Sequence, residues 1–254
     1  MAKPKIEWAD KVWNPTTGCE KVSPGCLNCN AEKFSHRLRN MPNTAKKYCN
    51  GFRPMVHPNE MAIPNSWKKP QTIFVCSMGD LFHESIPFEF IAQVLTIIRN
   101  CQQHDFILLT KRVTRMREFF TDYMPVKYGI KCDTIYNMWL GVSVENQLTA
   151  NERIPELLRI PASKRFICAE PLLDTISLQG FDIKVSLESG KRLNDLIHLL
   201  IIGMETGAGA RITPLYKLID LAMDGDFLKI PVMVKNIGKQ NDGTRLELIK
   251  NTGI

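Results

Sequence analysis

No run of about 18 apolar residues occurs in the chain, so the sequence predicts no membrane-spanning helix. The opening stretch, MAKPKIEWADKVW, lacks the apolar core of a secretion signal. A cytoplasmic location is therefore expected. Internal repeats and low-complexity tracts are also missing, which argues against solenoids and compositionally disordered arrays. The shortage that matters most is smaller. In GCEKVSPGCLNCNAE (Gly18 to Glu32), three cysteines fall at spacing C-x6-C-x2-C, and no fourth close cysteine completes a metal-binding set.

What is present is enough for a folded body. The chain has 254 residues, 44% of them hydrophobic and 23% charged, which supports a buried core and suits one partial barrel. Eight cysteines without a secretion signal read as reduced thiols or metal ligands, not as disulfides. Cys76 and Cys168 sit in apolar runs where cysteine acts as a small hydrophobe. Cys101 and Cys132 are dispersed, and Cys49 is ambiguous. The net charge of +7 favours a polyanionic partner or an anionic substrate. Part of it is local: Lys33, Arg37, Arg39, Lys46, Lys47 and Arg53 follow the thiol loop. Lys111, Arg112, Arg115 and Arg117 form a second group.

Short apolar runs alternate with segments of helical period. Strands are expected at Thr72–Cys76, Phe106–Leu109, Trp139–Val144, Arg165–Ala169, His198–Ile202 and Val232–Lys235, with an earlier one near Lys11–Thr16. Helices are expected at Pro87–Gln103, Val113–Tyr123, Gln147–Arg159 and Pro214–Asp224, and from about Asn28. Such alternation predicts an α/β fold with a parallel sheet of six or seven strands, one or two short of a closed barrel. We expect a single domain over residues 1–254, with a Pro/Asn/Lys-rich insertion or lid at about residues 41–70. Asp122–Asn137 and Leu178–Asn194 read as surface excursions. Within the insertion, Trp67 beside Lys68 and Lys69 could stack on a base or pack on its own loop.

Polar residues recur where the strands end. They are Cys19; Ser77, Gly79 and Asp80; Lys111 and Arg112; Ser143 and Glu145; Glu170; Gly203 and Glu205; Lys235 and Asn236. In parallel α/β folds this edge binds ligands. A carboxylate beside an apolar run needs a partner, which singles out Asp80, Glu170 and Glu205.

Thiolates bind soft metals, and Pro24 and Gly25 let a short loop turn several sulfurs toward one centre. Zinc would need a fourth ligand, with His36, Cys49 or His57 in reach. An iron–sulfur cube held by three cysteines would leave one iron open.

Three cysteines after a first strand, followed by a partial (β/α) barrel, resemble the radical S-adenosylmethionine superfamily, although the usual spacing there is C-x3-C-x2-C. The phrases WNPTTGCEKVSPGCLNC (Trp13–Cys29), LGVSVENQ (Leu140–Gln147), AEPLL (Ala169–Leu173) and IIGMETGAGAR (Ile201–Arg211) are similar to a phage-associated family of three-cysteine-motif proteins. Asn30 stands where an aromatic residue commonly follows the last cysteine, and VKNIG replaces a more usual Lys-Gln pairing.

The resemblance implies that Cys19, Cys26 and Cys29 ligate a [4Fe–4S] cluster whose fourth iron is chelated by S-adenosylmethionine. It further implies that reduced flavodoxin or ferredoxin supplies an electron and that a 5′-deoxyadenosyl radical attacks the substrate. Ser77, Gly79 and Asp80 would then meet the methionyl ammonium, with Ser143 and Glu145 at the ribose or carboxylate and Gly203 and Glu205 near the adenine. Lys111 or Arg112 could pair with a carboxylate or a substrate phosphate. Glu170, Lys111 and Lys235 are candidate catalytic residues. The basic balance allows a nucleic-acid or nucleotide-like substrate, for modification or repair. The competing expectations are a zinc-stabilised nucleic-acid-binding or hydrolytic protein and an iron–sulfur protein without catalysis.

Overall fold

The computed structural model describes residues 6–207 and 209–235. Nine strands lie among them. Seven share one sheet: β1 (Lys11–Trp13), β4 (Thr72–Val75), β5 (Asp105–Thr110), β6 (Met138–Ser143), β7 (Lys164–Ala169), β8 (Leu199–Ile202) and β9 (Val232–Val234), in that order. The pairs β1/β4, β4/β5, β7/β8 and β8/β9 run parallel. The chain is thus an α/β protein with the strand order of a partial (β/α) barrel, as the apolar runs predicted. Sequence-ordered parallel strands need crossovers, and the helices supply them.

The chain divides into two compact units: Met1–Leu140 with Ile160–Ser163, and Gly141–Arg159 with Lys164–Ile254. In the first, Ile73, Val75, Phe106 and Leu108 of the strands are buried, as are Ile91, Val94, Leu95 and Ile98 of α2 (Phe88–Asn100). The helical spacing of those four puts them on one face of α2. Each such side chain contributes roughly 1.5–3 kcal/mol through burial. The second unit repeats the device. All four residues of β8 are buried, as are Ile154 and Leu157 of α5 (Gln147–Leu158) and Leu218 and Leu221 of α7 (Leu215–Phe227).

The insertion is built onto the start of the chain. β2 (Thr16–Thr17) pairs antiparallel with β3 (Met55–Val56), and the Trp13 indole N–H donates to the Glu60 carbonyl at 2.8 Å. Trp67 is half-buried, edge-on to His104 at 6.2 Å, with the Lys11 amine 6.0 Å from its ring. It packs on its own surroundings.

Both expected excursions carry structure. The helix α3 (Val113–Glu118) continues through a wide turn at Phe119–Tyr123 into α4 (Met124–Tyr128), and Met124, Cys132 and Ile135 are buried. Leu178–Asn194 contains α6 (Gln179–Ser189), which buries Phe181, Asp182 and Val185. Its apolar residues, Phe181, Ile183, Val185 and Leu187, alternate like those of a strand, and this hid the helix. Phe181 and Val185 meet the core at helical spacing, while Ile183 and Leu187 stay exposed. No described helix is long and apolar enough to cross a membrane.

Candidate functional site

Two groups of rim residues form, one in each unit. The first begins where the chain leaves β2. Gly18 takes φ +85°, and its N–H donates to the Met78 carbonyl at 2.8 Å. Gly18 and Gly79 form a parallel bridge. A Cβ on Gly79 would lie 2.8 Å from the Gly18 carbonyl oxygen, and one on Gly18 would lie 2.1 Å from that of Arg53. Only two glycines let these backbones approach so closely. The Cys19 N–H donates to the Phe52 carbonyl at 2.9 Å. The first cysteine is therefore fixed by the loop after β4 on one side and by the insertion on the other.

The loop after β4 owes its direction to Cys76, which sits at φ +59° and is buried against the Thr16 hydroxyl at 3.0 Å. That left-handed residue turns the chain off the sheet edge. Asn14 then gathers the loop, since its Oδ1 accepts from the Ser77 hydroxyl at 3.2 Å and from the Met78 N–H at 3.1 Å. Ser77 and Gly79 stay half-buried.

Asp80 does not project to solvent. It is buried and accepts from the Thr110 hydroxyl at 2.8 and 2.9 Å, from the Phe82 N–H at 2.9 Å, and from Arg112 Nη1 at 3.3 Å. The Lys111 N–H lies 3.4 Å from Asp80 Oδ2. Arg112, only 7% exposed, reaches further. Its Nη1 donates to Cys19 Sγ at 3.2 Å, Nε to Glu84 Oε2 at 2.8 Å, and Nη2 to the Glu20 carbonyl at 3.2 Å. Its partners are thus groups of the protein itself.

The electrostatics follow from burial. Desolvation pushes the Cys19 thiol up to about 12, with Asp80 adding to the rise and Arg112 opposing it. Burial alone would lower the Arg112 value, but the neighbouring Cys19, Asp80 and Glu84 raise it. His83 is buried and held neutral-leaning by desolvation and by Arg112. Its Nδ1 accepts from the Ser85 N–H at 3.1 Å, and Glu20 and Glu84 lie 3.9 and 3.8 Å from Nε2.

Cys26 ends the short helical turn Pro24–Cys26, with its sulfur 3.7 Å from the Ser23 hydroxyl, and Cys29 caps α1 (Asn30–Leu38). All three thiols are free and half-buried. Among the described residues, no three His, Cys, Asp or Glu side chains stand close enough to grip one metal as placed. The donor set suits a soft metal, and the Arg112 N–H aimed at Cys19 Sγ suits an anionic sulfur. Of the fourth-ligand candidates for zinc, His36 and Cys49 are exposed, and His57 Nε2 is 2.7 Å from the Thr17 hydroxyl.

In the second unit, Glu145 is fully buried and paired with Arg153 at 3.1 Å; Arg153 also donates to the Ser143 carbonyl at 2.7 Å. Arg211 holds Glu205 through Nε at 3.0 Å and Nη2 at 2.5 Å. Lys235 meets Glu170 at 2.6 Å, and a Cβ on Gly203 would lie 3.0 Å from the Glu170 carboxyl carbon. Asn236 lies outside the described residues. Glu145 and Glu205 are thus committed to arginines that spacing did not reveal. Lys111 and the Glu170–Lys235 pair are half-buried.

Residues 3–247 match the family described as "Protein of unknown function (DUF5131)". Among curated proteins, none matches the chain. Of solved structures, a double mutant of spore photoproduct lyase with bound AdoMet and dinucleoside spore photoproduct is 12% identical, with a TM-score of 0.48 over 80% of this chain and 57% of that one. Spore photoproduct lyase complexed with dinucleoside spore photoproduct is 10% identical, with a TM-score of 0.46 and the same coverages. The chain spans under two thirds of the length of those proteins.

Proposed function

The chain belongs to the DUF5131 family, and from its thiol loop we propose that it is a radical S-adenosylmethionine enzyme acting on a nucleic-acid or nucleotide-like substrate. The observation that carries this reading is the set of three free, half-buried thiols on the loop leaving β2, the first of them receiving a hydrogen bond from a buried guanidinium. When bound, a three-cysteine [4Fe–4S] cluster with S-adenosylmethionine supplies one-electron chemistry: reductive cleavage of the sulfonium and hydrogen abstraction from substrate.

The chain's own residues position and shelter. Cys19, Cys26 and Cys29 would hold the cluster and must lose their protons to do so. Gly79, bridged to Gly18, and Ser77, held by Asn14, present the loop after β4 beside the start of the thiol loop. Asp80 follows them in the chain, is buried, and anchors Arg112. In the other unit, Ser143, Gly203 and Glu205 are proposed cofactor contacts, while Glu145, fully buried against Arg153, is proposed to support that strand end from within. The Glu205 carboxylate would act while held by Arg211. Lys111 and the Glu170–Lys235 pair are proposed to meet substrate. The electron donor is proposed to be reduced flavodoxin or ferredoxin. Exposed Arg37, Arg39, Lys46 and Arg53 support a polyanionic substrate.

The test is iron and sulfide analysis after anaerobic reconstitution, followed by reduction with S-adenosylmethionine present. The reading predicts about four irons per chain and formation of 5′-deoxyadenosine. Alanine at Cys19, Cys26 or Cys29 should abolish both, whereas Cys49→Ala should leave them intact. Stoichiometric zinc that is lost with Cys49→Ala or His36→Ala would refute it.

A further inference from the structure

The Cys19 sulfur touches a buried charge, the Arg112 guanidinium at 3.2 Å. Arg112 carries five N–H groups, and its hydrogen bonds tie it to a sulfur, two carboxylates and a backbone carbonyl. A structural role for Asp80 alone would not need that reach. Asp80 already accepts from the Thr110 hydroxyl and from backbone N–H groups, so its oxygens are served without help. Each nitrogen of the guanidinium has a partner: Nη1 donates to the sulfur and to Asp80, Nε to Glu84, and Nη2 to the Glu20 carbonyl, so the group is held against Cys19 at several points.

We propose that Arg112 is a positioning residue that donates a hydrogen bond to the metal-bound sulfur of Cys19 and, held there by Asp80, raises the reduction potential of the cluster. The inference rests on the iron–sulfur reading above. Its physics is direct. Reduction adds one negative charge to the cluster, and a buried cation against a ligand sulfur stabilises the reduced form more than the oxidised one. Asp80 carries the opposite sign and works against this, so the two side chains should shift the potential in opposite directions.

The experiment is a potentiometric titration of the reconstituted protein, read by the EPR signal of the reduced cluster, without S-adenosylmethionine or substrate. Arg112→Gln leaves Asp80 unbalanced beside the sulfur. At the wild-type midpoint its reduced-to-oxidised ratio should fall about tenfold or more, a shift of about 59 mV per tenfold for one electron. Arg112→Lys keeps the charge and should fall less, and it keeps the potential measurable if the glutamine variant loads poorly. Asp80→Asn removes the opposing charge while Glu84 and the Glu20 carbonyl still hold Arg112, and should shift the ratio upward. A general loss of folding would not produce shifts of opposite sign. Iron and sulfide are assayed first: a wild type that assembles no cluster sinks the iron–sulfur reading and this inference with it. Fully loaded Arg112→Gln and Arg112→Lys at the wild-type midpoint would overturn this inference alone.

Discussion

Alanine at Gly79 would set its Cβ 2.8 Å from the Gly18 carbonyl oxygen, a backbone atom with little freedom to move. Gly79→Ala should therefore cost about 1–3 kcal/mol in urea unfolding, as overpacking does. Because the displaced partner immediately precedes Cys19, iron loading should fall with it; unchanged stability and loading would show that the Gly18–Gly79 bridge does not set the loop. At this scale the sequence was partly legible. Cysteine spacing and the strand-end positions marked Cys19, Asp80 and Arg112, because apolar runs announce where strands stop. The contacts between them were not legible, since they join residues separated by 32 and 93 positions. Asp80 was expected to face a ligand ammonium; its contacts to Thr110 and Arg112, which tertiary proximity provides, were not foreseen.

At the level of elements, α6 offers two tests. Asp182 is buried, and desolvation would raise its carboxyl value, but the Leu193 N–H at 2.7 Å and Arg192 outweigh burial and lower it. A carboxylate depressed in the folded state stabilises above its unfolded value and loses that contribution as pH falls through the folded one. Stability should therefore decline below about pH 4. Asp182→Asn should remove about 1–3 kcal/mol at neutral pH and flatten the acid limb. A parallel acid limb in wild type and variant would contradict this. Gly180, by contrast, lies near the start of α6, and a Cβ there meets nothing. Gly180→Ala should add about 0.5–1 kcal/mol, measurable in the same unfolding experiment; a loss would mean that α6 is not helical there. The element's existence escaped the sequence because its apolar residues alternate. The sheet strands did not, because buried parallel strands are short continuous apolar runs.

For the whole molecule, charge is unevenly spread. Residues 20–53 carry seven lysines and arginines against two glutamates, beside the thiol loop, in a chain of net charge +7. Affinity for a short single-stranded oligonucleotide should fall steeply with salt. Arg37→Glu and Arg53→Glu should each reduce the log–log slope by about one. Salt-independent binding would remove the polyanion from the account. The family assignment spans residues 3–247 and names no activity, so the chemistry must come from the site. The central claim is that three cysteines leave one metal position open for S-adenosylmethionine. Its most direct test is the low-temperature EPR spectrum of the reduced, anaerobic protein, recorded with and without S-adenosylmethionine. The account predicts an iron–sulfur signal that changes shape when S-adenosylmethionine is added, and no such signal from Cys26→Ala. A silent protein holding zinc, or a cluster signal that S-adenosylmethionine leaves unaltered, would contradict it.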